Sequence, residues 1–214
     1  MLIDIHTHQV PIDKVVTAIV SVDASNPILP DHPFCSVGIH PRYADISGLS
    51  NLEALANHPC VVAIGETGFD KLASTSLSLQ QKVFIAHIEL AEKIQKPLII
   101  HCVKAWPELI HVHKQHKSDV PRIIHGFRGN GELACQLLQL GFYLSFGLHF
   151  HPKALHAAWK SYRLYTETDD AKINIECIYQ HITSQLSITN EALSREISEN
   201  IKTWPILPNG MIEY

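Results

Sequence analysis

The chain has 214 residues, 46% of them hydrophobic and 18% charged, with a formal net charge of −4. That length accommodates a single domain, residues 1–214, with a sizeable apolar core, and the composition excludes a disordered or fibrous chain. The acidic balance excludes a global attraction for polyanions, so nucleic-acid contact would need a local patch or bound cations, and no segment approaches 18 uninterrupted apolar residues.

In chain order, short aliphatic and β-branched runs predict strands at Leu2–His6, Thr17–Val22, Cys35–His40, Val61–Glu66, Leu98–His101, Arg122–His125, Phe142–Phe146 and Arg163–Glu167. Helical periodicity predicts helices near Leu49–Asn57, Ser76–Ile94, Trp106–His116, Gly131–Leu140, Lys153–Trp159, Asn174–Gln185 and Asn190–Ile201. Ser47 and Asn190 are the residue types that start helices, and Pro97 and Pro121 end them. Strands alternating with helices imply parallel strands and crossover helices, so the expected fold is α/β, a TIM-type (β/α)8 barrel. Eight strands are tight in a chain shorter than the usual ~250 residues. The expected economy is at Thr7 to Val16, too short for a crossover helix, leaving the barrel trimmed or distorted there. An open doubly wound sheet is the alternative, but the glycine fingerprint that such folds use for phosphate is missing.

Histidine is the compositional outlier, with 15 copies, and neutral imidazole is the commonest metal ligand. Asp4, His6 and His8 alternate, so a strand turns all three to one face. Further runs end in coordinating or acid/base residues: GIHP (Gly38 to Pro41), GETGFD (Gly65 to Asp70), PLIIH (Pro97 to His101), RIIHGF (Arg122 to Phe127) and YTETD (Tyr165 to Asp169). Six candidate ligands follow: His6, His8, Glu66, His101, His125 and Asp169. Parallel barrels carry their chemistry where strands end, and ligands so placed converge from distant parts of a chain. The five cysteines are odd in number and never form a C-x-x-C pair, which argues against a disulfide framework or a thiolate zinc site. With no secretory leader pattern in MLIDIHTHQV, the expected home is a reducing cytoplasm, with no membrane and no obligate protein partner.

On these motifs, in this order from Asp4 to Asp169, the chain resembles the TatD family of metal-dependent hydrolases, deoxyribonucleases of the amidohydrolase-like barrel superfamily. The resemblance implies that His6 and His8 bind a first metal, that Glu66 bridges to a second, and that His101 and His125 hold the second. It implies that Asp169 ligates the first metal and handles the proton of the attacking water, and that His40 sits near the scissile phosphate. Two divalent ions about 3.5–4 Å apart would clamp the oxygens of an in-line displacement. Mixed imidazole and carboxylate ligation suits Zn²⁺, Mn²⁺, Fe²⁺ or Ni²⁺ better than Ca²⁺, with Mg²⁺ a further option.

The family commonly has Arg two residues after the fifth-strand histidine, where this chain has Val103. Lys104 and Arg128 are the candidates to supply that positive charge to substrate. Asp170 and Ala171 follow the ETD motif where the family has a small residue and proline. His149 and His151 are read as offered to substrate rather than metal, Trp106 and Phe127 as packing more than base-stacking residues, Cys102 as inert and Asp70 as a loop or outer contact. The expected function is hydrolysis of DNA phosphodiester bonds by two-metal-activated water. Two alternatives remain: the same barrel acting on a small ester, amide or phosphoester, and a metal-binding partner protein without catalysis.

Overall fold

The computed structural model describes residues 1–11, 16–26, 28–206 and 210–211. The described residues contain strands β1 (Leu2–Thr7), β2 (Val16–Asp23), β3 (Cys35–Gly38), β4 (Val61–Asp70), β5 (Leu98–Val103), β6 (Arg122–Ile124), β7 (Tyr143–Phe146) and β8 (Leu164–Thr166). The helices are α1 (Leu49–Ala56), α2 (Leu77–Ile94), α3 (Trp106–Gln115), α4 (Gly131–Gln139), α5 (Pro152–Lys160), α6 (Ile175–Leu186) and α7 (Asn190–Lys202). The strands follow chain order in one sheet, β1-β2-β3-β4-β5-β6-β7-β8, the order of a TIM-type (β/α)8 fold. The described residues between β1 and β2 form no helix, and the rest of that expected short crossover, residues 12–15, lies outside the described residues. The chain divides into two compact units, Met1–Ile19 with Arg122–Tyr214, and Val20–Pro121.

In the first unit, β6 pairs with β7 (Ile123 with Tyr143) and β7 with β8 (Leu144 with Leu164), both parallel. A parallel bridge joins Thr7 to Asp169. β1 buries residues on both faces, Ile3 and Ile5 on one and Asp4 and His6 on the other, as strands in a parallel sheet do. The helices are tied to the sheet by buried polar contacts. Ile3 N donates to Tyr179 Oη on α6 at 3.0 Å, Asn200 on α7 donates to Leu164 O at 3.0 Å, and Trp204 Nε1 donates to Tyr165 Oη at 3.0 Å.

In the second unit, β2, β3, β4 and β5 pair in parallel. Phe69 and Phe84 pack edge to face, with ring centroids 5.4 Å apart, seating α2 on β4. β4 and β5 extend beyond their expected ends at Glu66 and His101, so these two residues lie within strands. Gly65 and Gly68 make the longer β4 possible: both have positive φ (126° and 139°), and a Cβ at either would fall on the carbonyl oxygen of Ile99 or His101 in β5. A register shift between Ile64 and Thr67 accompanies them.

Two helix starts also differ from expectation. Ser47 lies inside a 3-10 turn (Ile46–Gly48) capped by Asp45, whose side chain accepts from Ser47 N, and Gly48 precedes α1. Asn190 is the first residue of α7, capped by the Thr189 hydroxyl, which accepts from Ala192 N. In both places the polar side chain with extended backbone takes the cap, and its polar neighbour falls inside the turn or helix.

Candidate metal site

The first unit gathers ligands from β1 and from the segment after β8. His6 is wholly buried, and its Nε2 lies 3.7 Å from Asp169 Oδ1; the more exposed His8 points its Nε2 at the same oxygen from 3.5 Å. Asp169 sits in the left-handed region (φ 55°), where Asp is tolerated better than most residues. Asp169 N donates to His6 O at 3.0 Å, and His8 N donates to Asp169 O at 3.1 Å. Asp4 pins the preceding residue: its carboxylate accepts from Thr168 N at 3.1 Å and from the Thr168 hydroxyl at 2.6 Å. Burial pushes the Asp4 carboxyl up to about 7, with the nearby Glu167 charge adding to the rise and the Thr168 hydrogen bonds opposing it.

Glu167 was not among the expected ligands, yet it is fully buried in this group. Its Oε1 accepts from Gly126 N at 2.6 Å and lies 3.6 Å from His125 Nδ1. Its Oε2 is buried with no hydrogen-bond partner. His125, Glu167 and Asp169 offer ligand atoms within 4.8 Å of one another, as do His6, His8 and Asp169. The available signal was period two, because Glu167 precedes Asp169 by the same step that separates Asp4, His6 and His8.

The second unit brings His40, Glu66 and His101 together, again with ligand atoms within 4.8 Å. Glu66 Oε1 lies 2.7 Å from His101 Nδ1 and 3.2 Å from His40 Nε2. His40 caps the 3-10 turn Pro41–Tyr43 by accepting Arg42 N–H at its Nδ1, 3.0 Å away. That bond leaves the proton of the neutral ring on Nε2, so His40 meets Glu66 as a donor. Asp70, buried, accepts from Leu72 N at 2.8 Å and places Oδ2 3.7 Å from His101 Nε2 and 3.5 Å from Arg42 Nη2. It therefore stands behind His101, as an outer carboxylate does for a ligating imidazole. Two supports fix this arrangement. Gln80 on α2 accepts from Asp70 N and donates to Asp70 O, at 2.8 and 3.0 Å, and His87 Nε2 accepts from Ile39 N at 3.0 Å.

Arg128 is exposed and lines a pocket of about 320 Å³ in the first unit with Gly126, Gly147, Leu148, His149, Glu167, Thr168, Asp169, Asp170 and Ala171. The two histidines of the His149-Phe150-His151 run part company: His149 lines this pocket, whereas His151 caps α5 by accepting Lys153 N–H at 3.2 Å. Lys104 follows β5, exposed and left-handed (φ 55°). Phe127 is buried edge to face against Phe146, a packing residue, and burial pushes the Cys102 thiol up to about 12, which leaves it protonated and inert near neutral pH.

The family described as TatD related DNase matches residues 10–204. The chain belongs to that family. Among curated TatD-family relatives, the metal-dependent hydrolase YcfH of Escherichia coli K12 is 35% identical over 119 residues, covering 54% of this chain and 45% of that protein. A protein of Edwardsiella piscicida named 3'-5' ssDNA/RNA exonuclease TatD is 33% identical over 120 residues, 54% of this chain and 46% of its own length. The chain matches about half the length of these relatives. Two solved structures share the fold. YjjV, a TatD homologue of E. coli K12, aligns with TM-score 0.75 and 20% identity over 95% of this chain and 97% of that one. A TatD-family hydrolase of Entamoeba histolytica aligns with TM-score 0.74 and 17% identity over 95% and 98%. This TatD-family chain thus has the TIM-type barrel fold, and its His, Glu and Asp groups are able to bind metal.

Proposed function

We propose that the chain is a metal-dependent hydrolase that cleaves phosphodiester bonds in DNA, working from an end of a single strand. The observation that carries the reading is Asp169: a 26% exposed carboxylate facing two imidazoles, beside a buried Glu167 oxygen that lacks a partner. A buried, unpartnered carboxylate oxygen is costly without a cation, and the donor set of imidazoles and carboxylates fits Zn²⁺, Mn²⁺, Fe²⁺ or Ni²⁺, with Mg²⁺ a further option. His6, His8 and Asp169, with His125 and Glu167 beside them, would hold one ion; Glu66 and His101 would hold a second. Divalent ions so placed supply an acidified water and draw charge from a phosphoryl oxygen.

The side chains account for the remaining tasks. Asp169, reachable by solvent, accepts the proton of the attacking water and is held for it by the Asp4–Thr168 contacts. His40 donates through Nε2 to Glu66 or to a phosphate oxygen in its place. Arg128 and His149 line the pocket that also contains Asp169, which supports a role in holding the strand's phosphate. DNA is favoured as substrate by family membership, and action from an end of a single strand by the name of the Edwardsiella relative, which gives ssDNA and RNA alike. The five free thiols support a reducing cytoplasm as its place.

The test is metal content per chain by elemental analysis, paired with release of nucleotides from single-stranded DNA with and without a chelator. Two equivalents and chelator-sensitive release are expected, and Asp169→Asn should lower kcat by about 10²–10⁴-fold while leaving KM near its wild-type value. Metal-loaded protein that leaves DNA intact but turns over a small phosphoester or ester would move the assignment to a small-molecule hydrolase, to which a pocket near the small end of the usual range is suited. Metal-loaded protein without any turnover would leave a binding protein.

A further inference from the structure

The second unit also holds a pair of thiols in contact. Cys35 opens β3 and Cys60 immediately precedes β4; Cys35 N donates to Cys60 O at 2.7 Å, and the two Sγ atoms are 3.2 Å apart. Cys35 is in register with Val61, the residue after Cys60, and with the two sulfurs already 3.2 Å apart a bond of about 2.05 Å asks for a shift of only about 1 Å.

The two thiols have different surroundings. Cys35 is fully buried, whereas Cys60 is partly open to solvent. Exposed His58 places Nδ1 3.0 Å from Cys60 Sγ and accepts Cys60 N–H at the same nitrogen, at 3.4 Å. That nitrogen therefore carries a lone pair able to take the thiol proton. Burial pushes the Cys35 thiol up, only partly offset by the Lys96 ammonium, so Cys35 stays protonated and waits behind Cys60. The trio is not a metal cage: among the described residues, Cys35, Cys60 and His58 do not form a group of ligand atoms all within 4.8 Å of one another.

We propose that Cys60 and Cys35 form a hydroperoxide-oxidised dithiol, with Cys60 the reacting thiol and Cys35 the resolving one. His58 takes the Cys60 proton, and the thiolate attacks one oxygen of the hydroperoxide. The O–O bond breaks, Cys60 becomes a sulfenic acid, and the other oxygen leaves as water or alcohol with the proton from His58. Cys35 sulfur then attacks Cys60 sulfur, the S–S bond forms, and the sulfenic hydroxyl leaves as water with the Cys35 proton. Two thiols lose two electrons in all, and one hydroperoxide is reduced. A dithiol reductant reverses the change. The bond would cross-link the starts of β3 and β4, the strands that lead to His40 and to Glu66.

The experiment treats the purified full chain with hydrogen peroxide, denatures it, and counts alkylatable thiols with peptide mapping. The expected result is a fall from five thiols to three, with a single intramolecular Cys35–Cys60 linkage, restored to five by a dithiol. Cys35→Ser should stop at a Cys60 sulfenic acid that a 1,3-dicarbonyl probe traps, and His58→Ala should slow loss of the first thiol several-fold at neutral pH. Five thiols surviving excess peroxide, or a linkage between exposed Cys135 and Cys177 instead, would overturn the proposal. The wild-type mapping decides it even where a variant folds poorly.

Discussion

At the scale of single residues, position relative to a partner decides what each ionisable group does. Lys104 and Arg128 were equal candidates for a phosphate-binding cation by charge and by closeness to a ligand histidine. Arg128 lines the pocket that also contains Asp169. Arg128→Ala is expected to raise KM for single-stranded DNA about 10-fold or more with kcat little changed, as for loss of a charge-assisted contact of roughly 1.5–3 kcal/mol. An unchanged KM in steady-state assays would refute that contact. His87 shows the same dependence on surroundings. Burial pushes it down to about 4 from an ordinary 6.5, despite the Val83 carbonyl beside its Nδ1, and the neutral ring accepts from Ile39 N. Its unfolded form takes up a proton below pH 6.5 that the folded form refuses until about pH 4. Stability present above pH 6.5 should therefore fall by about 3 kcal/mol as pH drops through this window. Urea titrations across that range should show the fall, and His87→Gln should flatten it.

At the scale of elements, strands set the direction of each ligand, and the segments just past them set its distance. The alternation of Asp4, His6 and His8 was legible because period two needs only local geometry. The extension of β4 to Asp70 was not, because it depends on Gly65 and Gly68 lying against carbonyls of β5, a contact between segments distant in sequence. Gln80 is the corresponding device on α2: buried, it accepts from Asp70 N and donates to Asp70 O and Thr75 O, clamping the end of β4. Gln80→Leu should destabilise by about 1–3 kcal/mol by leaving a backbone N–H and carbonyl buried without partners, measured by denaturant unfolding. A change below roughly 0.5 kcal/mol would mean that water replaces the clamp without loss.

At the scale of the whole molecule, the buried acidic groups make folding and ion binding one equilibrium. A divalent ion that binds only the folded chain, at about one hundred times its Kd, adds about 2.7 kcal/mol, which for a chain of this size raises Tm by roughly 5–10 °C. Calorimetry with Zn²⁺ or Mn²⁺, before and after chelation, should show a rise that the chelator reverses. An unchanged Tm at saturating metal would argue against the ligand groups. Sequence by itself determined the α/β pattern and the family, and it proposed the six residues of the expected ligand set, because strand periodicity and strand-end motifs are local and survive without knowledge of neighbours. Tertiary structure decided what depends on approach through space. It brought Glu167 into the buried group, set the tautomer of His40 through Arg42 N, separated the roles of His149 and His151, and laid Cys35 against Cys60. Apart from the period-two step from Glu167 to Asp169, none of these follows from residue spacing, since each depends on which side chains folding carries within a few ångströms of one another and on how far water is excluded there.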